Sequence, residues 1–257
     1  MPRIDIAEQP GVGLDGLPRP TEDRVVVTTN AVAVLDGATE FRAGMLSGGW
    51  YSHRLAEYLE ASLTTSPAAP LRTVLAAAIE NVALTHGLRP GHSPSSTVAI
   101  ARWTTETVDA LVLADSPVVA FGHLGTTVVA DHRLARLRHG GFLRTRADVD
   151  RLRNHEDGFW VAEADPAAAS HAVCVSWPRR DVEAVLLATD GVSVGVDDYG
   201  LFDWPDVVDL ARGEGAKAVL DAVRRAELAD PDGVRWPRVK QHDDQALAVI
   251  DFTMDQG

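Results

Sequence analysis

Apolar positions along the chain follow two rhythms, and these come in blocks. Residues 24–36, RVVVTTNAVAVLD, hold two short apolar runs around Thr29–Asn30 and read as a hairpin. A helical period follows in 44–63, where Tyr51, Leu55, Tyr58, Leu59 and Leu63 recur on one face behind a glycine-rich start. Residues 70–87 predict a second helix, with Pro70 at its front and Gly87 at its end. Strands are expected at 97–103, 108–114, 117–121 and 126–130, and their short connections indicate an antiparallel sheet. The basic stretch 133–157 fits either a helix or a mobile surface segment. A buried strand is expected in 181–191, two helices broken around Gly213–Gly215 in 204–228, and a further strand in 245–252. Residues 1–18, with their Gly and Pro, are expected to form an irregular N-terminal arm. No repeat or clear linker interrupts the pattern. Segregated runs of this kind predict a layered α+β domain rather than an alternating parallel α/β fold.

Several of the apolar strands start or end on an acid. AVAVLDG gives Asp36, ALVLADS gives Asp115, AVLLATDG gives Asp190, and HDDQALAVI gives Asp243 and Asp244. The pair Glu22–Asp23 precedes the first hairpin strand. Any one of these is a turn residue by default, because Asp-Gly is a common turn signal. Four or five carboxylates meeting at one end of a sheet would repel one another, and divalent cations would relieve that repulsion. Oxygen-only ligands suit Mg²⁺ or Mn²⁺. Gly37, lacking Cβ, lets its carbonyl or a ligand come close. Such a set suits a two-metal hydrolase acting on a phosphoryl group.

Charge and composition narrow the class. With 37 acids against 24 bases the net charge is −13, which argues against broad nucleic-acid binding and against adhesion to an anionic membrane. No apolar run is long enough to span a bilayer, and the first ten residues lack the apolar stretch of a signal peptide. A soluble, cytoplasmic, monomeric protein is expected. The one cysteine, Cys174, excludes an internal disulfide, and in AVCVSW it reads as an inert thiol on a buried strand.

TEDR (21–24), VLDGA (34–38), SSTVAI (95–100), LADSPVV (113–119), ATDGVS (188–193) and HDDQALAVI (242–250) occur in this order. The set resembles the metal-dependent protein serine/threonine phosphatases of the 2C type, in their shorter bacterial form, over roughly residues 19–252. The resemblance implies one phosphatase 2C-like domain over 1–257. Its fold would be a four-layer α-β-β-α sandwich, two antiparallel sheets flanked by helix pairs. The implied activity is metal-dependent hydrolysis of phosphoserine and phosphothreonine in protein substrates by activated water, without a phosphoenzyme. Two Mn²⁺ or Mg²⁺ ions are implied, with a third, weaker one. Asp36 would bridge the two ions and the Gly37 carbonyl would ligate one of them. Asp190 and Asp243 would complete the other shell. Asp115 would serve the third ion and Glu22 a metal-bound water. Two departures stand out. The substrate-binding arginine of the family falls at Pro18, so Arg19 is assigned that role one residue later. Ala38, Thr39 and Glu40 stand where the family often carries His and Gly-Gly, leaving His53 and His242 as stand-ins for a general acid. These departures motivate the alternative of a pseudophosphatase that binds phosphoproteins or regulatory partners without turnover.

Overall fold

The computed structural model describes residues 1–38, 44 and 46–253. Thr39 and Glu40, part of the second departure above, lie outside the described residues.

The apolar runs are continuous because their strands are covered on both faces. In the strand Ala31–Leu35 every residue is buried. Ala31, Ala33 and Leu35 pack toward helices, while Val32 and Val34 pack toward a second sheet. Numbered in chain order, the strands are β1 (Arg3–Gln9), β2 (Arg24–Val27), β3 (Ala31–Leu35), β4 (Val98–Trp103), β5 (Thr107–Leu113), β6 (Val118–Gly122), β7 (Gly125–Val129), β8 (Val173–Pro178), β9 (Ala184–Ala188) and β10 (Gln245–Asp251). They form two five-stranded sheets, β2-β3-β4-β5-β8 and β1-β10-β9-β6-β7. Each pairing between these strands is antiparallel.

Helices α1 (Gly48–Thr65) and α2 (Leu71–His86) cover the first sheet. Their buried faces carry Tyr51, Leu55, Leu59 and Leu63 from α1 and Val74, Leu75 and Ile79 from α2. Ser47 starts α1 by accepting a hydrogen bond from the Trp50 amide at 3.0 Å, and Gly87 stops α2 in a left-handed conformation. Two short helices, α3 (Arg133–His139) and α4 (Arg146–Leu152), fill the basic stretch. Leu134 and Leu152 pack with Phe159 and Val161 against Ala114. On the second sheet lie α5 (Asp190–Asp197), α6 (Trp204–Glu214) and α7 (Ala216–Ala229). The four-layer α-β-β-α sandwich is therefore the fold of the chain. Among the described residues no helix is long and apolar enough to cross a membrane.

Three expectations need correction. The first part of the arm is not irregular, although residues 10–18 lack a helix or strand: β1 pairs with β10 from Arg3 against Asp251 to Gln9 against Gln245. Its alternation is hidden because polar residues on this edge strand have distant partners, as where Asp5 accepts from the Ala216 amide at the start of α7 at 2.9 Å. The strand in 181–191 ends at Ala188, and α5 begins directly at Asp190. Cys174 is not buried; it is exposed on β8, at the edge of its sheet.

Candidate active site

Both sheets deliver acids to the same end of the sandwich. β3 and β5 each pair antiparallel with β4, so they run the same way and finish at one edge, just before Asp36 and Asp115. β9 ends one residue before Thr189, and β10 begins one residue after Asp244, with Ala188 paired to Leu247. Asp36, Gly37, Asp115, Asp190 and Asp243 consequently line one pocket of about 380 Å³.

Small polar groups fix this arrangement. The Thr97 hydroxyl accepts from the Asp36 amide at 3.1 Å, and the Thr97 amide donates to the Asp36 carbonyl at 2.9 Å. The same hydroxyl lies 2.6 Å from that of buried Ser116, next to Asp115. Ala114 takes φ = 69°, a left-handed conformation that costs a residue with a Cβ about 1–2 kcal/mol. The strained turn ends β5 and presents Asp115. Gly37 packs so tightly on the start of α1 that a Cβ there would overlap the Gly48 backbone.

Electrostatics make the pocket hungry for cations. Burial, then Asp190 and the neighbouring acids Asp23, Asp243 and Asp115, pushes the Asp36 carboxyl well above its ordinary range. Among the described residues Asp36 has no ion-pair partner. Asp190 is raised from 3.8 to about 7, first by burial and then by Asp243 and Asp115, and it lies within hydrogen-bond reach of Asp36. Asp115 is also raised by burial, although Arg138 opposes the shift from 3.3 Å. Asp23 is fully buried and raised well above its ordinary range by that burial. One of its oxygens accepts from the Thr189 hydroxyl at 2.8 Å, and the other has no partner.

A pH dependence follows. The folded Asp190 carboxyl holds its proton up to about 7, whereas the unfolded one releases it near 3.8. The folded state therefore binds more protons in this window, and stability falls as pH rises through it. Metal-free protein is expected to melt lower at pH 8 than at pH 5. Excess Mn²⁺ at pH 8 is expected to restore the loss, since it takes the place of the released protons. Melting curves at both pH values, with and without Mn²⁺, check this; a metal-free protein more stable at pH 8 would contradict it.

Glu22 and Arg19 stand elsewhere. Both line an adjoining cleft of about 730 Å³, which shares Lys240 and Asp244 with the acid pocket. Glu22 accepts from the Gly49 amide at 3.1 Å. Arg19 is paired with Asp15 at 2.7 Å, and its side chain is 56% exposed. Neither histidine lines the acid pocket. His53 lies on the cleft wall, accepting from Arg24 Nε at 3.2 Å. His242 is buried and held to Glu227 at 2.8 Å.

The two adjacent aspartates of HDDQ do different work. Asp244 spends its oxygens on the amides of Gly11 at 2.6 Å and Glu22 at 3.0 Å, stitching the N-terminal segment to β10. Asp243 accepts from Lys240 at 2.8 Å. Sequence reasoning missed Lys240 and Arg138, the bases that reach these acids. A lysine three residues before an acidic strand start was the available signal for the first.

Among the described residues no three acids, histidines or cysteines form a ready cage for one ion. The donor set nevertheless fits hard divalent cations. It is all oxygen, its members repel one another, and its central carboxylate is enclosed without a cation of its own.

A family model described as protein phosphatase 2C matches residues 20–229. No curated protein sequence matches the chain. Solved structures share the fold at low identity. The Mycobacterium tuberculosis serine/threonine phosphatase PstP/Ppp is 15% identical at a TM-score of 0.62, over 97% of this chain and 98% of that one. The catalytic domain of PstP in complex with two manganese ions is 14% identical at 0.61, over 97% of each chain. Stp1 from Staphylococcus aureus, a serine/threonine phosphatase, is 13% identical at 0.63, over 98% of this chain and 95% of that one.

Proposed function

Because the chain belongs to the protein phosphatase 2C family, we propose that it is an active metal-dependent hydrolase of phosphoserine and phosphothreonine in proteins. The observation that carries this reading is the convergence of four strand-end aspartates from both sheets on one pocket. The fold shared with a manganese-bound phosphatase domain supports the choice of Mn²⁺ or Mg²⁺.

Asp36 would bridge two ions, with the Gly37 carbonyl on one and Asp190 and Asp243 on the other; Asp115 would serve a third, weaker one. When bound, such ions supply the water nucleophile and neutralise the phosphoryl oxygens. The chain's own contribution is placement. Thr97 and Ser116 hold the Asp36 and Asp115 segments in register across two strands. Thr189 fixes the entry to Asp190 by accepting from the Ala246 amide at 2.9 Å. Glu22, on the wall of the cleft, would accept a hydrogen bond from water at the edge of the site.

A second reading, a pseudophosphatase that binds without turnover, draws on Arg138 and Lys240, which already engage two of the acids. The test is hydrolysis of p-nitrophenyl phosphate and of a phosphothreonine peptide. Activity is expected with Mn²⁺, lost in EDTA, and regained when Mn²⁺ is returned. Full activity after rigorous chelation would remove the metal mechanism. Phosphopeptide binding without turnover at any Mn²⁺ or Mg²⁺ concentration would favour the second reading.

A further inference from the structure

Lys240 stands where the acid pocket opens into the wider cleft, and it lines both. Its side chain is only 19% exposed, and its ammonium lies 2.8 Å from Asp243. It is a cation beside an acidic site. An ammonium has three N–H donors. Among the described residues its hydrogen-bond partner is Asp243, which leaves donors for a second acceptor.

A phosphoryl dianion entering this pocket meets Asp36, Asp115, Asp190 and Asp243. These carboxylates repel the dianion wherever bound metal does not cover them, so a cation of the chain itself at the pocket would help to hold it. Arg19 lines the cleft and not the acid pocket. Arg138 is largely exposed and is engaged with Asp115. Lys240 borders both the cleft and the pocket.

We propose that Lys240 is the substrate-binding cation of this site, donating to a phosphoryl oxygen from the boundary between the acid pocket and the cleft. The proposal rests on the phosphatase reading above and adds the residue that grips the substrate. It also gives the polypeptide around the phosphorylated residue a path, outward through the cleft.

The test compares wild type, Lys240→Gln and Lys240→Arg, all loaded with Mn²⁺. Three quantities are read: kcat and KM for p-nitrophenyl phosphate, the Kd of inorganic phosphate by calorimetry, and the Kd of Mn²⁺ itself. Loss of one charge-assisted contact is worth roughly a tenfold or greater change in affinity. Lys240→Gln is expected to raise KM and the phosphate Kd together by that factor. Its kcat should stay within about threefold, the pattern of a contact made equally in ground and transition states. Its Mn²⁺ affinity should not weaken, and Lys240→Arg should recover most of the phosphate affinity. Should Lys240→Gln melt early, Lys240→Met, which keeps the aliphatic stem, replaces it. Unchanged KM and phosphate Kd in an active enzyme would make Lys240 only the counter-ion of Asp243 and overturn the proposal. So would a larger rise in KM from Arg19→Ala. Wild type that neither hydrolyses the ester nor binds phosphate with Mn²⁺ present would instead bring down the phosphatase reading, and this assignment with it.

Discussion

Asp36→Asn is expected to lose hydrolysis by about three orders of magnitude or more, the scale seen when a principal catalytic group is removed. Its metal-free form is expected to melt no lower than wild type. The two outcomes together separate a site residue from a turn residue. The exchange of one oxygen for an amide nitrogen leaves the backbone contacts of Asp36 with Thr97 intact, since these use its amide and carbonyl. It removes one negative charge from a cluster whose members drive up each other's pKa. Metal-free protein therefore gains, or at least does not lose, stability. The loaded protein loses a hard anionic ligand. If Asp36 only shaped a turn, Asn-Gly would serve as well as Asp-Gly and the variant would be silent. Mn²⁺ calorimetry, an ester hydrolysis assay and a metal-free melt decide the matter. Undiminished Mn²⁺ affinity and activity would return Asp36 to the status of a turn residue.

Gly37→Ala is expected to damage the fold itself, in contrast to its neighbour. The added Cβ has nowhere to go: it overlaps the Gly48 backbone, and a backbone cannot rotate away as a side chain can. Relief requires the start of α1 to separate from the end of β3. Overpacking of this kind typically costs about 1–3 kcal/mol, and collision with backbone belongs at the upper end. For a chain of this size that corresponds to a drop in Tm of roughly 6–12 °C. Thermal melts in EDTA isolate this effect from metal binding. A variant that melts with wild type would mean that α1 rides freely on the strand end.

The sandwich was legible because two-sided burial writes itself into the sequence as unbroken apolar runs. The β3 run AVAVL and the β10 run ALAVI could belong only to strands with cover on both faces. β1 escaped because it is an edge strand whose polar residues answer to partners far along the chain. Asp5 reaches an amide 211 positions away, and no local pattern announces that. The acids of the pocket were legible for a simple reason: each sits near the start or the end of an apolar strand, and a carboxylate there demands an explanation. Lys240 was not, because its spacing of three residues from Asp243 does not by itself show that the two side chains meet. His242 misled for the converse reason. It is adjacent to a pocket acid, yet the alternation at the entry to β10 turns it inward to Glu227.

The position of β10 between β1 and β9 bears on how the molecule comes into being. Its two neighbours are separated by most of the chain, and neither can complete its pairing until residues 245–251 arrive. The stitch from Asp244 to Glu22 spans 222 positions. Contacts of such length are slow to form, because the intervening chain must be ordered before they repay it. During synthesis the first sheet can assemble early and carry Asp36 and Asp115 with it, but the second stays open until its interior strand inserts. The meeting of Asp190 and Asp243 with Asp36 and Asp115 in one pocket thus waits on a pairing that spans most of the fold.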